Sequence, residues 1–368
     1  MANRYVGGEK ALEQFAGLMI QKIENVSDNW KQPWFSNSQS KGLPQNISGR
    51  IYNGLNSLML YIQCEQNRYS IPVFMTFNQA KEQGVHVKKG EKSFPVLYWG
   101  FSIKGTEPET QNKKITYEEY KRLSPEEKQK YRIIPFLQNY NVFNIEQTTY
   151  PEQKPEAWLS LKEKFTANHA RDDKGMRVCE ELDHVVKSQT WVCPIYLKEG
   201  NSAFHIRGKD DYIVVPLKAQ FHNGESFYST LIHEMAHSTG EEHRLNREKG
   251  GAFGGAKYAK EELIAEMCAA VCCRSLAITS GIREENAQYL KNWLAALREE
   301  PRFILSVLSD VSRASNMINE IVLNQPMEQF MEAGEKHVEQ TEAKDLLRVS
   351  GETNIEHTNH IFNRELEL

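Results

Sequence analysis

The chain has 368 residues, of which 40% are hydrophobic and 26% charged, and its formal net charge is −4. This composition predicts a globular protein of two or three domains, and it excludes a low-complexity chain and a uniformly basic coat for nucleic acid. Lys and Arg number 19 against 14 Asp and Glu in residues 1–150, 20 against 23 in 151–300 and 6 against 12 in 301–368, which predicts three unlike surfaces.

The first predicted unit contains helices and strands in mixed order. Helical spacing of apolar residues predicts a helix over 9–26, and a second helix begins near Asn53. Residues 73–83 are predicted as a strand that runs into a short helix, and further strands follow at 93–104 and 133–148. The polar residues 104–132 between those two strands predict an exposed excursion, so the first unit closes near residue 150.

The second predicted unit follows a proline-containing segment, 150–158, which we interpret as a linker. The elements predicted after it are a helix from about residue 159, a strand–turn–strand segment at 205–217, helices at 224–240, 259–278 and 284–298, and a glycine-rich loop at 246–257. The acidic end carries only a weak helical pattern. We therefore predict an α+β protein with a domain over 1–150, a domain over 151–325 and an acidic tail over 326–368.

The cysteines and the apolar runs predict the cellular compartment. None of the six cysteines forms a C-x-x-C pair, and three of them lie in an apolar helical stretch, which is typical of buried thiols in a reducing compartment. The N-terminus has no continuous apolar segment of a secretion signal, and no apolar run approaches the roughly 18 residues that cross a bilayer. We expect a cytoplasmic protein without a membrane partner.

The motif His233-Glu234-Met235-Ala236-His237 predicts a metal site. Two histidines four residues apart lie on one face of a helix, where both imidazoles reach a single Zn²⁺. Glu234 points away from the line between them, so it can hold a water molecule as the general base of a metal hydrolase. The spacing predicts one zinc ion of the catalytic type.

The third metal ligand is expected from the helix that follows. Glu262 and Glu266 share one face of that helix, and small neighbouring residues would let it pack closely on the first. We assign Glu262 as the ligand and Glu266 as the acceptor that orients a histidine, with Glu261 or Glu266 as alternative ligands. His243 is the other candidate, because the spacing from His237 fits the extended H-E-x-x-H-x-x-G-x-x-H motif. That motif also needs a Met-turn, and the nearest methionine lies within a helix.

Several ordered stretches resemble the plasmid antirestriction proteins of the ArdC type. HEMAHSTGEEHRLNR and FGGAKYAKEELIAEMCAA resemble their metallopeptidase-like domain, and WKQPWF, PQNISGRIYNGLNSLML and TFNQAKEQGVHVKKGEK resemble their single-stranded-DNA-binding domain. The resemblance implies a zincin-like second domain in which Glu262 is the third ligand. It also implies a protein of conjugative or other mobile elements that protects incoming DNA.

The front domain also carries features of a single-strand binder. Such proteins combine basic residues with aromatic rings on which bases stack. Residues 30–101 are rich in both, although most of the aromatic residues are expected in the core. We predict that the contacts to DNA come from one loop tryptophan, the basic turn and the matching family stretch: Trp34, Asn46, Arg50, Tyr52, Asn56, Lys88, Lys89 and Lys92.

Three functions follow from these patterns. The first is a zinc-dependent peptidase tethered to single-stranded DNA, cleaving or displacing a protein substrate on DNA or a restriction enzyme, with Tyr258 or Arg244 as a candidate to stabilise the oxyanion. The second is a non-catalytic antirestriction protein that binds single-stranded DNA and in which the metal is structural. The third, a nuclease, lacks a second acidic cluster for a two-metal site.

Overall fold

A computed structural model describes residues 40–247 except positions 53 and 112, residues 256–280 and residues 303–324. Six further positions are described near the N-terminus: 17, 18, 20, 21, 24 and 35. The predicted contact residue Trp34, the predicted helix at 284–298 and the predicted tail at 326–368 lie outside this part of the chain, as does most of the helix predicted over 9–26.

The first part of the chain is built on a five-stranded sheet in the order β1-β2-β5-β3-β4. The strands are β1 (Gln45–Asn46), β2 (Val73–Thr76), β3 (Phe94–Gly105), β4 (Lys114–Ile115) and β5 (Tyr131–Asn144). β1 runs parallel to β2, and the other pairs are antiparallel. β3 and β5 stay paired over twelve residues each, from Phe94 opposite Val142 to Gly105 opposite Tyr131, and so form a long two-stranded ribbon.

Helices cover this sheet and extend its connections. Helix α1 (Leu55–Asn67) packs Leu60 and Cys64 against Phe74, Val96 and Val142 of the sheet. Three short helices, α2 (Phe77–Glu82), α3 (Tyr117–Lys121) and α4 (Pro125–Lys128), each begin with a capping box. Because the capping side chains satisfy free backbone N–H groups, helices this short persist. The excursion predicted at 104–132 therefore contains β4, α3 and α4.

The segment predicted as a linker is helical instead. Helices α5 (Tyr150–Gln153) and α6 (Pro155–Phe165) occupy it, and each has a proline in its first turn. The prolines that suggested a linker begin these helices, because a proline in the first turn has no intrahelical N–H bond to lose and its fixed φ suits a helix start.

The second part of the chain is a small sheet with three large helices. Helix α7 (Glu180–Ser188) precedes strands β6 (Ile195–Lys198), β7 (Phe204–Ile206) and β8 (Tyr212–Pro216), which lie in the order β6-β8-β7. β6 runs parallel to β8 and β7 antiparallel to it. Helices α8 (Gly224–Thr239), α9 (Ala256–Ser275) and α10 (Phe303–Leu323) pack on one another beside this sheet. The α+β architecture predicted from the sequence is confirmed.

One apolar core joins the two parts. Leu58, Met59 and Tyr61 of α1 belong to the same buried cluster as the apolar residues of α8, α9 and α10. Polar contacts reinforce this junction: the Arg274 side chain donates to the carbonyl and hydroxyl oxygens of Ser40, at 2.5 and 2.9 Å. The two units are thus continuous in their packing.

Two further observations concern the cysteines and the helices. All six cysteines are buried free thiols. Within the described residues, no helix is both long enough and apolar enough to cross a membrane.

Candidate metal centre

Helix α8 positions the two histidines of the motif. It begins where the Asn223 side chain accepts a hydrogen bond from the Ser226 backbone N–H at 2.8 Å. Its first residue must be glycine, since a Cβ on Gly224 would lie 2.5 Å from the carbonyl oxygen of Arg177. The helix is almost entirely buried from Leu231 onward, and it places His233 and His237 one turn apart on one face.

Helix α9 brings the carboxylate of Glu262 to both histidines. Ala265 and Ala269 are buried where the helix packs, and small side chains permit close approach of two helices. The Nε2 atoms of His233 and His237 lie 3.0 Å apart, and the Glu262 carboxylate oxygens lie 3.4 Å from the first and 3.6 Å from the second. Three donor atoms therefore converge within a space that one metal ion can fill.

A second layer of contacts fixes the orientation of His237. Its Nδ1 lies 3.2 Å from a Glu261 carboxylate oxygen, and Arg247 donates two hydrogen bonds to the same carboxylate, at 2.7 and 3.1 Å. Arg247 also donates to the carbonyl of Ala236 at 2.8 Å and to the Thr239 hydroxyl at 2.7 Å. Because Nδ1 faces a carboxylate, Nε2 is turned toward Glu262, as in the carboxylate–histidine pairs of metal sites.

Glu266 is placed beside the other histidine. One of its carboxylate oxygens lies 3.7 Å from Nδ1 of His233, on the side of the ring away from Glu262. Both imidazoles thus have one nitrogen directed to Glu262 and the other to a second glutamate of α9. Glu261 and Arg247 were missed as orienting residues. The sequence shows that Glu261 is adjacent to Glu262. The position of Arg247 beside the site depends on the path of the chain after Gly240, which the sequence does not show.

The electrostatics of the site favour a cation. Burial disfavours a charged imidazole, but Glu261 and Glu262 outweigh it and raise the pKa of His237 to about 10. Burial alone would raise the glutamate values, yet His237 and Arg247 lower the pKa of Glu261 to about 2. The two histidines hold the pKa of Glu262 well below its usual range. A buried imidazole pair facing a charged carboxylate fits a divalent metal that prefers nitrogen and oxygen ligands.

The remaining residues of the motif lie at or near the site. Glu234 is buried on α8, and its charge is close enough to help raise the pKa of His237. Tyr258 is half-buried against the core. Arg244 donates to Asp211, to the carbonyl of Ser238 at 2.6 Å and to that of Val192 at 3.1 Å. These contacts occupy the guanidinium, so Arg244 holds the end of α8 instead of an oxyanion.

His243 is not brought to the other two histidines. Its side chain is 62% exposed, and its Nε2 lies 3.6 Å from a carboxylate oxygen of Asp211. Among the described residues, the group that joins His233 and His237 within ligand distance contains Glu262. The assignment of the third ligand stays a prediction, and the geometry favours Glu262.

A second group of metal-type residues, Cys193, His205 and Asp211, lies nearby. His205 Nε2 is 2.9 Å from a carboxylate oxygen of Asp211, and the Arg244 guanidinium binds both oxygens of that carboxylate. Because Arg244 already supplies the positive charge, this group is an ion-pair network. The sequence placed Asp211 in a turn but gave no sign of its partners.

Three of the residues predicted to contact DNA make contacts within the protein. Asn56 uses its amide to bind both backbone groups of Leu97, each at 2.8 Å. Asn46 accepts hydrogen bonds from the backbone N–H groups of Ser48 and Arg50 at 3.1 and 2.8 Å, which closes the turn. Tyr52 packs edge-on against Phe74, and burial raises its pKa to about 12. The three side chains thus have structural roles.

The basic residues of that prediction are more accessible. Arg50, Lys89 and Lys92 are exposed. Lys88 forms an ion pair with Glu152 at 2.9 Å and donates to the carbonyl of Glu146 at 3.1 Å. No described contact tests their binding to DNA, so these residues stay predictions.

Comparison with known families finds two matching domains in order. Residues 9–143 match the N-terminal domain of the anti-restriction factor ArdC. Residues 181–310 match a zincin-like metallopeptidase domain. The second range contains the histidines and glutamates of the metal centre.

Similar proteins and structures share most of this chain. The protein y4eC of Sinorhizobium fredii, described as uncharacterized, is 26% identical over 83% of this chain and 91% of its own length. A DNA primase TraC of Escherichia coli is 29% identical over 83% of this chain, which spans only 27% of that primase. Crystal structures of the antirestriction ArdC protein from plasmid R388 match in metal-free and Mn(II)-bound forms. The metal-free structure has a TM-score of 0.60 and is 26% identical, and the match covers 84% of this chain and 98% of that structure. The Mn(II)-bound structure has a TM-score of 0.59 and is 27% identical, and the match covers 85% of this chain and 98% of that structure.

Proposed function

Since the chain belongs to the ArdC-type antirestriction family, with an ArdC N-terminal domain followed by a zincin-like domain, we propose that it is a zinc-dependent peptidase acting on proteins bound to single-stranded DNA. The observation that carries the proposal is the convergence of three donor atoms from His233, His237 and Glu262 beside the buried Glu234. Binding of DNA by the first domain would bring the peptidase site to its substrates.

The proposed chemistry assigns one role to each residue. A divalent ion held by the two imidazoles and Glu262 would lower the pKa of water to about 7 and polarise the scissile carbonyl. Glu234 accepts the proton of the attacking water and passes it to the leaving amine. Glu261, held by Arg247, keeps the ring of His237 in the orientation that the site needs.

The relatives support the metal and the DNA context. The Mn(II)-bound ArdC structure supports a divalent ion in this family, and two nitrogen donors with one carboxylate support zinc in this chain. The shared region within the DNA primase TraC supports a role on DNA. The cytoplasm of a cell that carries a mobile element is the proposed setting.

The experiment compares the zinc-loaded protein with its Glu234→Gln variant. Both are incubated with a single-strand-binding protein as substrate, with and without single-stranded DNA, and cleavage is followed by gel electrophoresis and mass spectrometry. We expect cleavage by the unsubstituted protein that DNA stimulates. The variant should retain one equivalent of zinc and lose cleavage by a hundredfold or more, given general-base effects of about 10²–10⁴.

One observation favours a second function, a non-catalytic antirestriction protein with a structural metal. His233, Glu234 and Glu262 are at most 7% exposed, and closed sites are typical of structural zinc. In that case Glu234→Gln would leave protection of incoming DNA unchanged in a transformation assay. Loss of protection in the variant, with zinc still bound, supports the peptidase.

A further inference from the structure

One face of the β3–β5 ribbon carries an unusual row of positive charges. Arg132 of β5 lies opposite Lys104 of β3, and Lys104 lies opposite Lys114 of β4. Residues opposite one another in a sheet direct their side chains to the same face. All three are exposed. In the part of the chain that the structure describes, none of them forms an ion pair with a carboxylate. We call these three residues the cation row.

This arrangement is costly for the isolated protein. Like charges directly opposite each other destabilise a sheet. The neighbouring residues on the opposite face are Ile133, Ile103 and Ile115, which lie in the same register, and Ile103 is 1% exposed. The alternation of the strands therefore directs this apolar row, buried at Ile103, to one face and leaves the cation row on the other, where an anionic ligand would relieve the repulsion.

Two exposed aromatic rings lie on the same face as the cation row. Tyr98 and Lys104 are six residues apart on β3, and Tyr140 and Arg132 are eight apart on β5, so each pair shares a face. Tyr98 is 36% exposed and Tyr140 is 45% exposed, and their rings meet edge to face with centroids 6.1 Å apart. We call these two residues the tyrosine pair.

The tyrosine pair lies at the boundary between the buried part of this face and its exposed part. Towards the start of β3, Val96 is buried with Val142 against α1. Six residues of strand separate Tyr98 from Lys104, a distance of about 20 Å. The exposed face thus has the tyrosine pair at one end and the cation row at the other. This arrangement suits a ligand with flat apolar groups and regularly spaced negative charges. A single-stranded nucleic acid has both, and sites of roughly 4–16 nucleotides are usual for such proteins.

We propose that this face of the β3–β5 ribbon binds single-stranded DNA, with bases stacked on Tyr98 and Tyr140 and phosphates held by Lys104, Lys114 and Arg132. The inference rests on the proposed DNA binding of the first domain and gives it a location. It differs from the contacts predicted from the sequence, which are Trp34 and residues within 46–56 and 88–92.

The test uses the full-length protein and a fluorescein-labelled oligothymidine of about 16 nucleotides. Fluorescence anisotropy is measured between about 50 and 200 mM salt. Tyr98→Ala with Tyr140→Ala should weaken binding by about fivefold or more without changing its salt dependence, because stacking involves no counterion release. The matched control is Tyr196→Ala, since Tyr196 is also 45% exposed and meets Tyr212 edge to face at 5.6 Å.

The cation row is tested by its salt dependence. Changing Lys104, Lys114 and Arg132 to Gln should reduce the slope of log affinity against log salt by about two, given about 0.7 for each lost phosphate contact on a single strand. The control changes three exposed lysines elsewhere to Gln: Lys162, Lys164 and Lys187. It should leave the slope within measurement error, and the cation-row variant should be at least as heat-stable as the unsubstituted protein.

The outcomes separate this inference from the proposed function. If the unsubstituted protein binds no oligonucleotide, the proposed DNA binding fails and the inference fails with it. If it binds, but both ribbon variants behave like their controls, the inference alone is overturned. Should the alanine pair unfold, Tyr98→Leu with Tyr140→Leu keeps apolar contact without a ring, and the same loss of affinity is expected.

Discussion

Two adjacent glutamates of α9 act on opposite sides of one imidazole. Glu261 faces Nδ1 of His237 at 3.2 Å, and Glu262 faces its Nε2 at 3.6 Å. Side chains of neighbouring helix residues point about 100° apart. Glu261 and Glu262 can therefore contact the two nitrogens of one imidazole because α9 packs closely beside α8. The motif predicts the two histidines as ligands. Which glutamate faces Nδ1 and which faces Nε2 follows from the packing of the helices.

The assignment of the third ligand leads to a direct prediction. Glu262→Gln should reduce zinc affinity strongly, because it removes the charged oxygen that faces both histidines. His243→Gln should leave affinity unchanged, since His243 is 62% exposed and lies beside Asp211. Competition with a fluorescent chelator measures both. The opposite ranking of the two variants would make His243 the ligand.

The ion pair of Asp211 predicts an acid-sensitive contribution to stability. Burial opposes ionisation, but His205 and Arg244 hold the pKa of Asp211 below its usual range. Its contribution is therefore complete above the ordinary aspartate pKa of about 3.9 and is lost as the pH falls through the lower folded value.

Asp211→Asn should cost about 3 kcal/mol near pH 7, because it leaves the guanidinium of Arg244 largely buried without its counter-ion. Asparagine tolerates the positive φ of 36° at this position. Urea unfolding should show the gap between variant and unsubstituted protein narrowing towards pH 3. Asp210→Asn, an exposed neighbour, is the control, and an equal effect from it would refute the assignment.

At the scale of elements, helix α10 completes the core of the zincin-like domain. Its buried residues include Val307, Val311 and Ile318, which pack in the same cluster as α8 and α9. The sequence interpretation assigned no helix between residues 299 and 325. Apolar residues recur there at helical spacing, within a segment whose overall composition is acidic.

A truncation in α10 tests its contribution. Ile318→Ala should lower the free energy of unfolding by about 2–5 kcal/mol, because Ile318 is fully buried and its removal leaves a cavity. Ile321→Ala, at a partly buried position of the same helix, should cost clearly less. Denaturant unfolding measures both, and equal small effects would mean that α10 is not part of the core.

Much of the fold could be predicted from the sequence. The strand that runs into a helix at 73–82, the ribbon strands and helices α8 and α9 all follow from apolar periodicity. Neither strand β6 nor helix α7 was predicted. Three of the four residues of β6 are exposed, and among the described residues it pairs along one edge, so its apolar pattern is weak. The cation row was hidden for another reason: its three residues are distant in sequence, and only the register joins them.

At the scale of the whole molecule, the two domains share a core instead of being linked by a flexible segment. Arg274 of α9 is buried, and it binds Ser40 while its guanidinium lies 5.0 Å from the ring centroid of Tyr61. The helical segment 150–165 joins the domains.

This continuity predicts a single unfolding transition. Arg274→Ala should lower the unfolding free energy by about 1–3 kcal/mol, because it leaves the buried oxygens of Ser40 without a donor. Calorimetry of the unsubstituted chain should show one transition, and DNA binding and zinc binding should be lost at the same temperature. Two separate transitions would show that the domains are energetically independent.

We propose that His233, His237 and Glu262 together hold a divalent metal ion. Anomalous diffraction at the zinc edge, from crystals of the zinc-loaded full-length protein, tests it most directly. We expect one peak bonded to Nε2 of both histidines and to a carboxylate oxygen of Glu262, at about 2.0–2.2 Å. A peak bonded to His243 in place of Glu262, or no peak at the histidine pair, would contradict the claim.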